Sequence, residues 1–334
     1  MKIIVYIFII SIFISTFSNA QDKISLYGLT QGTTYTVGYY DIKNRYFKSE
    51  IDTILFHFNA TFSSYNSTST VSTINNNFDV KTDSLFNICF NKSMQISKET
   101  DGAFDITVAP LVNAWGFGKE QKAQVNQNTI DSLLQFVGYQ NIFLYNNKII
   151  KKDNRIKLDF NAIAQGYTVD IISDFFLKMG INNYVIEIGG EVLAHGSKPN
   201  GDKWIVGIEK PIENKTSEVN ELKLLLSVKN KAVSTSGNYR KFYIENGVKY
   251  SHTINPKTGY PAKNNILSAT LVANDCASAD AYATACMVMG LEKSIEFLKK
   301  HSELEAYLIY SLPNGEISTY STIGFQKLIL EEKK

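Results

Sequence analysis

Asp280 and Thr284 lie in the stretch Ala277-Ser-Ala-Asp-Ala-Tyr-Ala-Thr-Ala-Cys286. On a helix, that spacing puts both side chains on one face. A carboxylate and a hydroxyl are hard oxygen donors, which suit Mg²⁺, an ion that often completes its shell from substrate phosphates. Taken alone, the stretch reads better as an Ala-rich core helix, with Asp280 favouring the helix dipole and Thr284 bonded back into its own turn. Further polar positions shift that balance. Ser234-Thr-Ser-Gly-Asn-Tyr-Arg240 follows a predicted strand. Its hydroxyls and Arg240 could gather around phosphate oxygens, and the same composition suits an ordinary polar turn. His252 has a side chain whose unperturbed pKa is near neutrality, so it is a candidate to take a proton from an incoming hydroxyl; the alternative is a plain hydrogen bond to substrate or main chain. Asp159 closes a predicted strand just before a predicted helix, a place where free N–H groups suit phosphate, and it is also placed to cap that helix.

The elements that must hold these groups follow from periodicity. Residues 24–40 alternate around Gly28, Gly32 and Gly38 as a hairpin, and 47–62 carry helical spacing in Ile51, Ile54, Leu55, Phe58 and Phe62. A polar Ser/Thr/Asn run over 63–77 reads as a loop, then 82–99 as a helix with Leu85, Ile88, Cys89 and Ile96 inward. Asp101 to Asp105 is a turn, 129–137 a short helix closed by Gly138, and 141–159 a hairpin turning at Asn146-Asn147, with strands 142–145 and 156–160. A helix over 162–179 ends at Gly180. Strands are expected over 184–188, 191–195, 204–209, 222–228, 232–234, 242–245 and 268–273, then a helix over 291–300 and strands near 305 and 317. The pattern predicts an α+β fold.

Composition sets bounds. The chain has 334 residues, 44% hydrophobic and 20% charged, with net charge +2. That balance is globular and gives no basic excess for nucleic acid. Residues 3–17 are almost wholly apolar after Lys2, and Ser18-Asn19-Ala20 ends the run in small residues. Residues 1–20 are therefore expected to be a secretory signal, with residues 21–334 as one exported or periplasmic domain. No Cys lies near the cleavage point, which argues against a lipoprotein. Cys89, Cys276 and Cys286 fit no zinc spacing and read as buried thiols. There is no Gly-x-x-x-x-Gly-Lys-Ser/Thr loop and no Gly-x-Gly-x-x-Gly after a strand, so P-loop and Rossmann sites are disfavoured. No nucleophile with an adjacent base is apparent.

Five stretches in order resemble the ApbE family of flavin transferases: Gln31-Gly-Thr33, Asp101-Gly-Ala-Phe-Asp through Gly118, Leu158-Asp-Phe-Asn-Ala through Asp170, Ile188-Gly-Gly-Glu191, and His252-Thr-Ile-Asn-Pro-Lys-Thr-Gly259 with the Asp280 helix. The resemblance spans about Gly28 to Tyr310. It implies a mixed fold with an FAD cleft between sheet and helices. It implies Mg²⁺ held by Asp280, Thr284 and the Ala162 carbonyl, and FAD as substrate. Flavin or FAD contacts are implied at Ala103, Phe104, Asp105, Asp159 and Ile254, with Tyr65 as the loop aromatic against FAD. Gln31 stands where the family commonly has Met, Gln165 where it usually has Lys, and Asn255 where it has Asp. The resemblance further implies transfer of FMN from FAD to a Thr or Ser of an acceptor protein, such as a redox-complex subunit, with release of AMP. Two other outcomes of the same site are hydrolysis of FAD to AMP and FMN, and flavin binding without turnover.

Overall fold

The computed structural model describes residues 22–118, 122–210, 222–238, 242–245 and 248–332. Residues 1–20 and Arg240 lie outside that set. Two strands, β1 (Ile24–Thr30) and β2 (Thr33–Tyr39), form the first hairpin. Gln31 and Gly32 turn it with φ of 51° and 74°, the left-handed pair whose twist matches that of two antiparallel strands. The helices α1 (Lys48–Phe62), α2 (Thr70–Asn75), α3 (Ser84–Glu99), α4 (Ala109–Ala114) and α5 (Gln127–Leu134) follow, then the small hairpin β3 (Ile142–Tyr145) and β4 (Lys148–Lys151). After α6 (Ala164–Lys178) come β5 (Tyr184–Ile188), β6 (Glu191–His195), β7 (Trp204–Glu209), β8 (Leu222–Val228), β9 (Lys231–Gly237), β10 (Phe242–Glu245), β11 (Val248–Ser251) and β12 (Ile266–Ala273). The chain closes with α7 (Cys276–Met289), α8 (Leu291–Lys300), β13 (Glu305–Ser311), β14 (Ile317–Ser321), α9 (Ile323–Gln326) and β15 (Ile329–Glu332).

An eight-stranded antiparallel sheet, β1-β2-β5-β6-β9-β12-β13-β14, is the frame. Side chains alternate across a strand, and here the alternation divides two cores. Ala269, Leu271 and Ala273 of β12, with Ala306 and Leu308 of β13, join the core beneath α1, α3, α6 and α7. Val272, Tyr307 and Ile309 join the other core, against the three-stranded sheet β15-β8-β7. The fold is thus α+β, as the pattern predicts. Among the described residues no helix is long and apolar enough to cross a membrane. All three cysteines are buried and free.

Four local expectations need correction. Asn146 and Asn147 both take positive φ (49° and 58°), so the return strand starts at once, at Lys148, and residues 156–160 lie outside any strand. In α3, Ile88 is exposed, while Phe86 and Phe90 are buried; Phe86 stacks on Phe62 of α1 with ring centroids 5.9 Å apart, and these large rings set the buried face. The polar run over 63–77 contains α2, opened by Ser69, whose hydroxyl accepts the Ser72 N–H. The Ser234–Gly237 segment is part of β9 itself: Thr235 stands opposite Thr270 and their hydroxyls bond at 2.9 Å, a cross-strand pair that favours strand over turn.

Candidate functional site

Residues 158–168 collect the separate motifs. Asn75 of α2 brackets Leu158, donating to its carbonyl at 2.9 Å and accepting its N–H at 2.7 Å. The Asp159 N–H donates to the Ile106 carbonyl at 2.7 Å, which ties in the Asp101–Asp105 turn. Gln31, on the β1–β2 turn, donates from Nε2 to Thr168 Oγ1 at 2.6 Å. Asp280 of α7 accepts the Gly166 N–H at 3.1 Å. Residues far apart in the chain therefore converge where α6 begins, and Ala162 sits two positions before that helix.

The start of α6 explains the convergence. Its N-cap is Ile163, whose side chain cannot accept a bond, so the first N–H groups need partners from elsewhere. Asp280 supplies one. Its carboxylate is buried (6% exposed), and among the described residues no Lys or Arg pairs with it. Burial pushes it up to about 7, and the Gly166 N–H opposes that rise. A buried carboxylate without a cation is costly to ionise, and a divalent ion at this place would remove that cost. Thr284, one turn on, exchanges a hydrogen bond with Ser236 of β9 at 3.2 Å. The donor set therefore fits a hard divalent ion: one carboxylate, hydroxyls, and main chain at a helix start. Asp159 does not cap α6; its carboxylate accepts the Asn161 N–H at 2.7 Å instead, and burial raises its pKa.

A second group lies around the Asp101 turn. The ammonium of Lys257 pairs with Asp101, and Trp115 Nε1 donates to the Gly259 carbonyl at 2.8 Å. These bonds hold the His252–Gly259 segment to the turn and to α4. His252 is half-buried, edge-on to Phe117 with ring centroids 6.4 Å apart. Ile254 is buried and bridges to Pro261. Asn255 accepts the Lys257 N–H at 2.9 Å through Oδ1. Asn supplies that acceptor as well as Asp would, so the replacement costs the turn no bond.

The side chains of the Ala103–Asp105 turn are largely taken up by structure. Phe104 is 2% exposed and belongs to the main core. Asp105 is buried; Oδ1 accepts from Thr107 N–H and hydroxyl at 2.8 and 2.6 Å, and Oδ2 from Tyr139 N–H at 2.8 Å. Burial raises its pKa and those bonds counter it. The N–H groups of Ala103 and Phe104 are taken as well, by the Thr100 carbonyl and hydroxyl at 3.0 and 3.2 Å. Gln165 lies against Gly189 so closely that a β-carbon there would be 2.8 Å from its Nε2, and Gly189 itself has φ of 66°. Tyr65 is 71% exposed on the loop before α2. Sequence reasoning reaches Ser236 only as one hydroxyl of the Ser234–Arg240 segment and Lys257 only as one position of the His252–Gly259 segment; it does not reach Asn75, whose bracket on Leu158 leaves no local signal.

A cavity of about 360 Å³ lies elsewhere, lined by residues including Lys92, Asp170, Asp174, His195 and Asp275. Of the stretches matched to the family pattern, only the end of the one from Leu158 to Asp170 reaches it, through Tyr167 and Asp170.

The architecture superposes on solved flavin transferases. The flavin transferase ApbE of Vibrio cholerae matches with a TM-score of 0.81 and 30% identity, over 92% of this chain and 99% of that one. The ApbE protein of Thermotoga maritima matches at 0.81 and 26%, over 93% and 100%. In sequence, an FAD:protein FMN transferase of Haemophilus influenzae is 35% identical over 91% of each chain. The ApbE family pattern matches residues 31–308, and the chain belongs to that family.

Proposed function

We propose that the chain is a Mg²⁺-dependent FAD:protein FMN transferase. A Thr or Ser hydroxyl of an acceptor protein attacks the FMN-side phosphorus of FAD. The new O–P bond forms as the P–O bond to AMP breaks, leaving FMN on the acceptor through a phosphoester. Asp280, Thr284 and the Ala162 carbonyl would hold the ion. When bound, it would supply positive charge to the pyrophosphate oxygens. His252 accepts the proton of the incoming hydroxyl at a ring nitrogen. Gln31, Tyr65, Asp159, Gln165, Ile254 and the Ala103–Asp105 turn flank FAD. The site needs no nucleophile of its own, because phosphoryl transfer depends mostly on positioning and charge.

The observation that carries this reading is the buried Asp280 carboxylate beside the start of α6, with no cationic side chain paired to it among the described residues. Relatives bearing the name FAD:protein FMN transferase support it. We also read residues 1–20 as an export signal, which places the reaction outside the cytoplasm, and a redox-complex subunit as acceptor. The test is mass spectrometry of a co-expressed acceptor, looking for added FMN. Asp280→Ala should abolish Mg²⁺-dependent labelling, and unchanged labelling would refute the metal assignment. Incubation with FAD and Mg²⁺ alone separates hydrolysis: fast release of AMP and FMN without acceptor would favour an FAD pyrophosphatase, and FAD left intact with or without acceptor would favour a binding protein.

A further inference from the structure

The starts of α6 and α7 lie side by side, and each is closed by a carboxylate from the other helix. Asp280 of α7 accepts the Gly166 N–H of α6 at 3.1 Å. Asp170 of α6 accepts the N–H groups of Cys276 and Ala277 of α7 at 2.7 and 2.9 Å. The spacing is the same on both sides: Gly166 to Asp170 and Cys276 to Asp280 are each one helical turn. Each helix thus offers an N–H from its first turn and a carboxylate from its second. The backbones almost touch between these bonds. A β-carbon at Gly166 would lie 2.7 Å from the Cys276 carbonyl carbon and 2.9 Å from the Ala277 nitrogen.

This pairing fixes α7 where its own side chains cannot. The helix is alanine-rich and buried on all sides, so its packing surface has few large side chains to resist a slide or tilt. Directional bonds at its start do that work. Asp275 caps it from within, and Lys92 of α3 bonds Asp275 and Ser278 at 2.7 and 3.0 Å. Asp170, beside the Asp280–Gly166 bond, ties the first turn of α7 to α6, the helix whose start carries Ala162.

We propose that Asp170 is a positioning residue for the metal corner: by holding the first turn of α7 to α6, it sets where the Asp280 carboxylate stands relative to the Ala162 carbonyl. This rests on the function proposed above. Asp170 touches neither ion nor substrate in this role. Outer groups that orient a metal ligand commonly change metal affinity by about 10–100-fold when removed.

The test uses the full chain and two variants that disturb the same contact from opposite sides. Asp170→Asn keeps the shape and one acceptor but turns an N–H₂ towards the second N–H. Gly166→Ala leaves Asp170 intact and pushes the helices apart. Mg²⁺ affinity is read by calorimetry with Mg²⁺ alone, and FMN transfer is read against Mg²⁺ concentration. Both variants should need about tenfold or more Mg²⁺ for half-saturation, with the rate at saturating Mg²⁺ largely restored. An unchanged Mg²⁺ half-saturation in folded variants would overturn the proposal, as would a rate loss that excess Mg²⁺ does not recover. Loss of the cooperative melt in both would also count against it, since a purely structural contact then suffices. A parent protein that binds Mg²⁺ but transfers no FMN would sink the functional reading alone. The positioning role would still be decided by the affinities.

Discussion

Two residues matched to the same ligand by family pattern occupy opposite environments. Asp105 is buried with three donors on its carboxylate, whereas Tyr65 is 71% exposed with its ring in solvent. Removing Asp105 strands the Thr107 and Tyr139 donors, and each buried donor left unsatisfied costs about 1–3 kcal/mol. Asp105→Ala should therefore lower unfolding free energy by about 2–4 kcal/mol in urea denaturation. Tyr65→Ala should leave stability within about 0.5 kcal/mol and weaken FAD binding in a fluorescence titration. An Asp105→Ala protein of parental stability would show that the carboxylate serves something other than the turn. Gln31 shows how a departure from a family pattern can be absorbed at this scale. Its amide latches the β1–β2 turn to Thr168, a bond that a Met side chain would not make as a donor.

At the scale of elements, the segment from Leu158 to Thr168 depends on neighbours for its shape. It has no strand ladder, and Asn75 supplies both bonds that a ladder would have given to Leu158. Asn75→Ala should cost about 1–3 kcal/mol in urea unfolding and loosen Asp159, two bonds from the bracket. Faster amide exchange at Leu158 and Asp159 would report it; unchanged exchange would show that the Ile106 bond alone is sufficient. This is also where sequence reading ran out. Residues 156–160, Ile-Lys-Leu-Asp-Phe, alternate apolar and polar as a half-buried strand does, and alternation alone cannot distinguish a ladder from an extended segment bracketed by one side chain. The helix of Asp280 and the hairpin of Gln31 were legible, because caps, turn residues and alternation are local. Asp170 was not, because its bonds to Cys276 and Ala277 join residues more than a hundred positions apart. The family pattern marks the positions proposed to flank FAD, but it does not say that Phe104 and Asp105 spend their side chains on the fold.

Across the whole molecule, holding the half-buried Asp170 between two helices links stability to pH. Burial, then the nearby Asp275 charge, pushes its carboxyl up to about 7, while the two α7 N–H groups and Lys92 pull it down. Asp174 and His195 share the adjoining cavity. An unfolded Asp titrates near about 4. Between about 4 and about 7 the folded protein therefore holds more protons at this group than the unfolded chain does. Stability from this group is greatest below that window, falls as pH rises through it, and is level above it. Asp170→Asn has no such titration. Urea unfolding at pH 5 and pH 7.5 should show a smaller loss of stability for Asp170→Asn than for the parent. An equal loss would mean that Asp170 is ionised throughout.

Trp115 gives the molecule an optical handle. The chain has two tryptophans; Trp204 is buried between the two sheets, while Trp115 bonds the Gly259 carbonyl and stacks on Tyr250 at 5.4 Å. Its emission overlaps flavin absorption, and its indole is fastened to the same segment that bears His252. A chain with Trp204 replaced by Phe would glow from that one indole, and arrival or departure of an isoalloxazine ring could be followed in real time without any label.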